Sequence, residues 1–256
     1  MQPIESRYAP LLPLVSFGLA FLVWELLSRV SGWSAQVFPG PIVVLQAGWE
    51  LILNGTLLKH SVASLFRVTV GFYLAALLGI PLGILIGRVL LLRQLASPII
   101  NFLRPISPLA WIPLAMLWFG LGDAPAVFLI FLASFFPLVV STMIAVSTIN
   151  QVYFQVASNF FFSRGEVITK VIIPAITPDI FTALRITISI AWLVVVAAEM
   201  IAVQSGLGYL ILDARNALRM DYVMVGMMMI GLIGVMLDHI MYRLSRLETT
   251  SWKGRI

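Results

Sequence analysis

Six long apolar stretches dominate the sequence. A helix needs ~20 predominantly apolar residues to cross a lipid bilayer. Hydrophobic residues make up 61% of the 256-residue chain and charged residues 11%, whereas a soluble domain is about half apolar and about a quarter charged. The sequence therefore predicts an all-α, polytopic membrane protein with about six transmembrane helices. The predicted spans are Ala9–Leu27, Val68–Gly87, Pro105–Gly122, Ala124–Ser147, Ile180–Val203 and Tyr222–Tyr242.

Two of these stretches differ from a simple span. Ala9–Leu27 is expected to be a retained span in an N-terminal segment 1–30, since a signal peptide has a shorter apolar core and a clear small-residue cleavage site. Prolines 105, 108 and 113 interrupt the third stretch and predict a bent or re-entrant helix. Membrane helices tolerate proline where neighbours satisfy the freed backbone groups. We treat 1–256 as one transmembrane domain with its core in 60–246.

The distribution of basic residues predicts the orientation. With the N-terminus in the cytoplasm and six spans, most of the 16 Lys and Arg residues fall on inside segments, among them Arg88, Arg104, Arg164 and Arg185. Cytoplasmic loops of membrane proteins carry such an excess. Both termini are therefore expected to be cytoplasmic. The net charge of +5 is explained in the same way, so it does not indicate a nucleic-acid partner.

Small residues recur at every fourth position in the second stretch. Gly71, Ala75, Gly79, Gly83 and Gly87 share one helix face. Such a face lets membrane helices approach closely, so that van der Waals contact holds them together. We expect this face to pack within the subunit, with a contact to a second copy as the alternative.

No catalytic constellation is apparent in the sequence. It contains no GxSxG, HExxH or CxxC motif and no Gly-rich loop that would cradle nucleotide phosphates. With no cysteine and two distant histidines, His60 and His239, no metal site is expected. These features favour a transporter over a membrane-embedded enzyme. An ion-gradient-driven secondary transporter remains the alternative, which inverted repeats would support, and no repeat is apparent.

One carboxylate lies deep within an apolar stretch. Glu199 occurs in VVVAAEMIAV, where a charge costs ~2.5–3.5 kcal/mol on insertion scales. Arg185 is too far along the same helix to pair with it, ~21 Å away at 1.5 Å per residue. Glu199 therefore needs a partner on another helix or a wet cavity.

The segment 149–178, between the fourth and fifth stretches, is amphipathic and too polar for lipid. Its apolar residues recur at spacings of three and four around VASNFFFSRGEVITKVIIP, which predicts short helices broken near Ser163-Arg164-Gly165. Such a helix can lay its apolar face into a groove of a partner protein. A helix resting on the inner membrane surface is the alternative.

This arrangement resembles the permease subunit of ATP-binding-cassette (ABC) importers. In that family the main cytoplasmic loop carries Glu-Ala-Ala, three residues, Gly, nine to twelve residues, then a hydrophobic residue and Pro. Aligned on Ile173-Pro174, the Glu-Ala-Ala position is occupied by Gln155-Val156-Ala157 and the Gly position by Phe161. Ala157 and Pro174 match the pattern, whereas the Glu and the Gly are replaced.

The flanking segments narrow the resemblance to one branch of these permeases. They look like the nitrate, sulfonate, taurine and bicarbonate branch. The segments are PLAWIPLAMLWFGLGD (Pro108–Asp123), IPAITPDIFTALR (Ile173–Arg185), AWLVVVAAEMIA (Ala191–Ala202) and SGLGYLI (Ser205–Ile211).

The resemblance implies a transport subunit of a bacterial inner membrane and not an enzyme. Two permease subunits, in the simplest case a homodimer, would form the pathway. Two cytoplasmic ATPase subunits would hold ATP and Mg, leaving no cofactor on this chain. A periplasmic or lipid-anchored binding protein would deliver a small anion: nitrate, bicarbonate, an alkanesulfonate or taurine. Transport would proceed by alternating access.

The resemblance also implies roles for particular residues. Ser189, Trp192 and Glu199 are candidate pathway or gate residues, with Glu199 expected to have a gate or structural role because it would repel an anion. The residues expected to couple the chain to the ATPase form the cytoplasmic loop between spans four and five: Gln155, Ala157, Phe160, Phe161, Phe162, Ser163, Arg164, Gly165 and Pro174.

Overall fold

The structure is a computed structural model that describes residues 12–30, 32–34 and 36–253. These residues form helices and connecting turns, with no strand among them. The α-helices are α1 (Leu12–Val30), α2 (Pro41–Leu53), α3 (Thr56–Arg88), α4 (Leu90–Leu103), α5 (Ile112–Phe119), α6 (Asp123–Ser147), α7 (Gln151–Asn159), α8 (Arg164–Glu166), α9 (Ile173–Ala202), α10 (Leu207–Asn216) and α11 (Met220–Lys253).

Four helical segments of the described chain are long and apolar enough to cross a membrane. They are α3, α6, a continuous helix over Arg164–Ala202 and Met220–Ser245 within α11. A fifth is gained if α4 and Pro108–Phe119, which meet at 84°, form one broken span. The predicted all-α polytopic fold is confirmed. Helix α1 covers most of the first predicted stretch, whose start lies outside the described residues, so a total of six spans stays a prediction.

The helix boundaries depart from the sequence-based ones at two places. Helix α3 begins at Thr56 rather than Val68 and has 33 residues. It is separated from α2 by Asn54 and by Gly55, whose φ of 73° is a left-handed conformation that glycine adopts readily. At the other place, α8, a π-helical turn at Val167–Ile172 and α9 follow without a break. Single π-helical turns inside α-helices occur frequently at functional sites.

The third predicted span is bent, as its prolines suggested. After α4, the chain turns through residues 104–107, forms a short 3₁₀ turn at Pro108–Trp111 and continues as α5. Gly122 then donates a backbone hydrogen bond of 3.4 Å to the carbonyl of Ala202 at the end of α9. The broken segment therefore ends beside the end of α9.

Helices α3 and α6 form the central pair of the bundle. Gly71 lies against Ile130, Gly83 against Thr142 and Gly87 against Val146. Because the residue numbers of the contacts increase together along α3 and α6, the two helices run in the same direction. A Cβ added at Gly83 would lie 2.6 Å from the Thr142 Cβ and 2.8 Å from the Val139 carbonyl oxygen. Helices α3 and α6 are therefore so close at position 83 that only glycine fits there.

Helix α9 completes the core by packing on α3, α6 and α11. Val195 is fully buried and belongs to the largest apolar cluster, together with Val68 of α3 and Ile233 of α11. Burial of such side chains supplies van der Waals contact between the helices, which drives their association in lipid. The central part of α9 is therefore fixed on several sides.

Candidate functional site

The segment 149–178 folds into the short helix α7 and the beginning of the long helix over Arg164–Ala202, joined by an elbow at residues 160–163. Helix α7 begins after Asn150, whose side chain accepts a hydrogen bond from the Val152 N–H and so caps the helix. Helix α8 begins after Ser163, which forms a reciprocal capping box with Glu166. The caps define where each helix starts and therefore where the chain turns.

The turn itself depends on the backbone of Phe161. Its φ is 55°, a left-handed conformation that non-glycine residues adopt rarely. Phe162 N–H then donates a 3.0 Å hydrogen bond to the carbonyl of Ala157 and closes the end of α7. Phe161 stands where the permease loop pattern has glycine, so the chain keeps the glycine-like backbone while carrying an aromatic ring.

Two rings of the elbow project into the surroundings. Phe161 is 93% exposed and Phe160 is 71% exposed. Phe162 is half-buried, and the Lys170 ammonium lies 5.1 Å from the centre of its ring. Gln155, Ser163, Arg164 and Gly165 are exposed in the same region. Adjacent exposed aromatic rings on a polar segment form a surface suited to burial against a protein groove.

The base of the elbow is held against the bundle. Ala157 is 2% exposed on the inner face of α7. The Arg88 guanidinium at the end of α3 lies 4.1 Å from the ring centre of Phe154. Pro174 lies at the start of α9, directly after the π-helical turn at Val167–Ile172. These contacts connect the elbow to the ends of α3 and α9.

A buried charge cluster occupies the opposite end of the bundle. Arg67 of α3 is 1% exposed, and its guanidinium lies 2.6 Å from Glu199 of α9, which is fully buried. The guanidinium also lies 2.7 Å from Asp123 at the start of α6 and bonds to the carbonyl and the hydroxyl of Ser205. We refer to these residues as the Arg67 cluster.

The carboxylate of Glu199 is satisfied on its other side as well. Ser64 donates a 2.8 Å hydrogen bond to it, and so does the Gly208 N–H at 3.0 Å. Nearby, the Gly206 N–H donates to Nδ1 of His60. Glycine is required at 206 because its φ is 103°. The cluster therefore holds the loop that precedes α10 against helices α3 and α9.

The other two pathway candidates occupy different surroundings. Trp192 is 4% exposed, and its indole N–H donates a 3.0 Å hydrogen bond to the Ile230 carbonyl of α11. Ser189 is exposed and bonds to the Arg185 carbonyl one turn earlier. Arg185 itself makes two hydrogen bonds of 2.7 and 2.8 Å to Asp238 of α11. Ser189 faces the surroundings of the subunit, whereas Trp192 and Glu199 face its interior.

Arg67 and Asp123 were not identified from the sequence. Arg67 directly precedes Val68, the first residue of the predicted second span, and so falls outside that span. The signal was the lone carboxylate of Glu199, which demands a cation on another helix. Extending the second span backwards would have made Arg67 a candidate. Among the described residues no group of three or more His, Cys, Asp or Glu side chains could hold a metal ion.

The fold and these two regions define a polytopic helical membrane protein with an exposed aromatic elbow at one end and a buried ion cluster at the other. Residues 79–248 match the inner membrane component of binding-protein-dependent transport systems. The chain belongs to this family. It is thus a transport subunit and a multi-pass protein of the inner membrane.

Individual relatives agree with this assignment. The taurine transport system permease protein of Escherichia coli is 36% identical over 239 residues, covering 91% of this chain and 86% of its own. The nitrate import permease protein of Leptolyngbya laminosa is 38% identical over 233 residues, covering 88% and 82%. The resemblance to the nitrate, sulfonate and taurine permeases is confirmed.

A solved structure shows the same fold. The methionine ABC transporter MetNI, in an inward-facing conformation, contains a chain that superimposes with a TM-score of 0.66 at 16% sequence identity. The match covers 77% of this chain and 97% of that one. The architecture is therefore that of an ABC transporter permease.

Proposed function

We propose that two copies of this chain form the pathway by which a small oxyanion enters the cell, driven by two separate ATPase subunits. ATP and Mg are held by those subunits, and a periplasmic or lipid-anchored binding protein delivers the anion. The taurine and nitrate permeases among the relatives support this substrate class, because taurine carries a sulfonate and nitrate is itself an oxyanion. The orientation has both termini in the cytoplasm.

The observation that carries the proposal is the elbow. Phe160 and Phe161 are exposed side by side on a segment too polar to enter lipid. An exposed ring pair of this kind gains free energy when it is buried in a partner's groove. We assign this groove to the ATPase subunits. The exposed residues around the two rings, Gln155, Ser163, Arg164 and Gly165, would contact the rim of the groove.

Coupling follows from the position of the elbow beside α3 and α9. ATP binding closes the ATPase dimer, draws the two elbows together and favours a state open to the outside. A ligand shifts such an equilibrium only by its differential affinity for the two states. Moving it from 1:99 to 99:1 requires ~5.5 kcal/mol, which ATP-driven closure can supply. A gradient-driven carrier would have no use for an exposed elbow of this kind.

Substitution at Phe161 tests the proposal. With Phe161→Asp we expect uptake to fall about tenfold or more, since truncating an interface hot spot costs at least ~2 kcal/mol, while the chain still inserts in the membrane. Phe161→Gly keeps the left-handed turn and removes the ring, so it separates backbone geometry from aromatic contact. Uptake and co-purification of the ATPase are measured together.

Leu218 provides a matched control. It is likewise exposed, at 74%, and has a φ of 56°, but it lies between α10 and α11 away from the elbow. Leu218→Asp is expected to leave ATPase co-purification unchanged. If Phe161→Asp transported normally, or if the purified chain moved solute without an ATPase, the proposal would be wrong.

A further inference from the structure

A cavity of about 280 Å³ lies at the break between α4 and the 3₁₀ turn at Pro108–Trp111. The two segments meet at 84°. Phe136 and Pro137, from the middle of α6, and Ile190, from the middle of α9, line the cavity. The break therefore lies at mid-height in the bundle. Arg104 belongs to the break, so the structure corrects its sequence-based assignment to an inside segment.

Arg104 lines this cavity with an unpaired charge. The residue is exposed, and its guanidinium has no hydrogen bond or ion pair with any residue that the structure describes. Two other arginines within the spans behave differently: Arg67 is paired with Glu199, and Arg185 is paired with Asp238. A charged side chain at membrane depth faces water, a protein partner or a ligand rather than lipid. Arg104 is therefore available to a ligand of opposite charge.

We propose that Arg104 binds the oxyanion group of the transported solute in this cavity. The inference rests on the proposed function and adds a binding residue to it. A guanidinium presents two parallel N–H donors, which match the oxygen pairs of a nitrate, carboxylate or sulfonate group. None of the described residues that line the cavity is a carboxylate that could compete for these donors.

The remaining walls support the same ligand class. Leu103, Ile106, Trp111 and Leu132 give the cavity an apolar surface. Apolar walls with one well-placed polar group are typical of small-molecule sites. They lower the local dielectric constant on one side of the guanidinium, which strengthens its attraction for an anion. A single cation also leaves the anion free to depart, because conduction requires binding weak enough for release.

Uptake by cells that carry the complete transporter tests the role of the charge. Labelled nitrate, taurine, ethanesulfonate and bicarbonate serve as separate probes. Arg104→Gln is expected to lower uptake of the transported anion by about tenfold or more with ATPase co-purification unchanged. Arg104→Lys keeps the charge without the paired donors and is expected to be intermediate. Arg93→Gln, a partly buried arginine near the start of α4, is expected to transport normally.

Thiol labelling gives a second readout that does not depend on transport. The chain has no cysteine, so Ser107→Cys places a single thiol in the break beside Arg104. We expect a water-soluble sulfonated thiol reagent to modify it in the purified complex. The transported anion should slow that modification, and the Arg104→Gln background should remove the protection. Leu77→Cys, on an exposed apolar face of α3, should stay unmodified.

The outcomes separate this inference from the proposed function. Normal uptake by Arg104→Gln, or anion protection that persists without Arg104, would overturn the binding role while leaving an ATP-driven importer intact. Failure of the wild-type chain to associate with an ATPase would instead overturn the proposed function. If Arg104→Gln failed to assemble, Ser107→Cys would be labelled in the Arg104→Lys background instead. Protection by the transported anion that was as strong there as with Arg104 would contradict the bidentate contact.

Discussion

At the scale of single residues, Arg67 links three separate parts of the chain. Its guanidinium contacts Asp123 at the start of α6, Glu199 near the end of α9 and Ser205 in the following loop. Both Arg67 and Glu199 are almost completely buried. Ion pairs in such surroundings contribute little net stability compared with apolar groups of the same shape, but removing one partner is strongly destabilising.

Removing Arg67 is expected to destabilise the protein more than removing the charge of Glu199. Arg67→Met leaves the buried Glu199 carboxylate without its cation and should cost ~3–5 kcal/mol, lowering the unfolding temperature by roughly 10 °C for a chain of this size. Glu199→Gln should cost less, because Arg67 retains Asp123 and Ser205. Thermal unfolding of the detergent-solubilised protein measures both.

The control for this pair is an arginine outside the cluster. Arg215 is exposed on α10, and its side chain makes a 3.4 Å contact to Asn216. Arg215→Met should shift the unfolding temperature by much less than Arg67→Met. Equal shifts for the two variants would show that the buried pair is not a stability determinant.

The sequence predicted the need for this pair but not its members. A carboxylate at the position of Glu199 requires a partner whatever the fold, because the requirement follows from the cost of burying a charge. Which residue meets it depends on how α3 and α9 pack, and no local pattern encodes that contact. The same applies to Arg104, whose depth is set by the bend at residues 104–107.

At the scale of helices, the seam between α3 and α6 is defined by glycine. At Gly83 an added methyl group would clash with a backbone carbonyl of α6, which cannot rotate away as a side chain can. At Gly79 the nearest atoms to the same methyl group, including Leu138 Cβ, lie 3.4 Å away. The two positions share a helix face and differ in available space.

Alanine substitutions along this seam are therefore expected to differ. Gly83→Ala should lower the unfolding temperature because α3 and α6 must separate by several tenths of an ångström. Gly79→Ala should be neutral or slightly stabilising, since alanine is ~1 kcal/mol better than glycine inside a helix. Thermal unfolding and assembly with the ATPase are the measurements. A loss of stability with Gly79→Ala as large as that with Gly83→Ala would contradict the packing described.

The sequence predicted which segments are helices better than it predicted where the helices begin and end. The four-residue spacing of Gly71, Ala75, Gly79, Gly83 and Gly87 is a local pattern, so it could be recognised before any partner helix was known. The start of α3 at Thr56 was missed because Lys59, His60 and Arg67 lower the hydropathy of its first turns. Two of these side chains are accommodated by tertiary contacts: His60 accepts a hydrogen bond from the Gly206 N–H, and Arg67 belongs to the Arg67 cluster.

At the scale of the whole molecule, thiol labelling tests the proposed orientation in the membrane. The expected topology places the elbow in the cytoplasm and the end of α10 outside. Asn159 in the elbow region and Asn216 at the end of α10 are both exposed. In the cysteine-free chain, Asn216→Cys should react with a membrane-impermeant thiol reagent in intact cells. Asn159→Cys should react only after the membrane is opened; the reverse pattern would invert the topology.

The unbroken helix over Arg164–Ala202 joins the two ends of the bundle. Its 39 residues extend ~58 Å at 1.5 Å per residue, so a tilt of about 5° at one end displaces the other by about 5 Å. A rod of this length converts a small push at the elbow end into a shift that Glu199 and its neighbours must either resist or follow. Leverage of this kind would let a motor act on a distant gate without any relay of separate conformational steps between them.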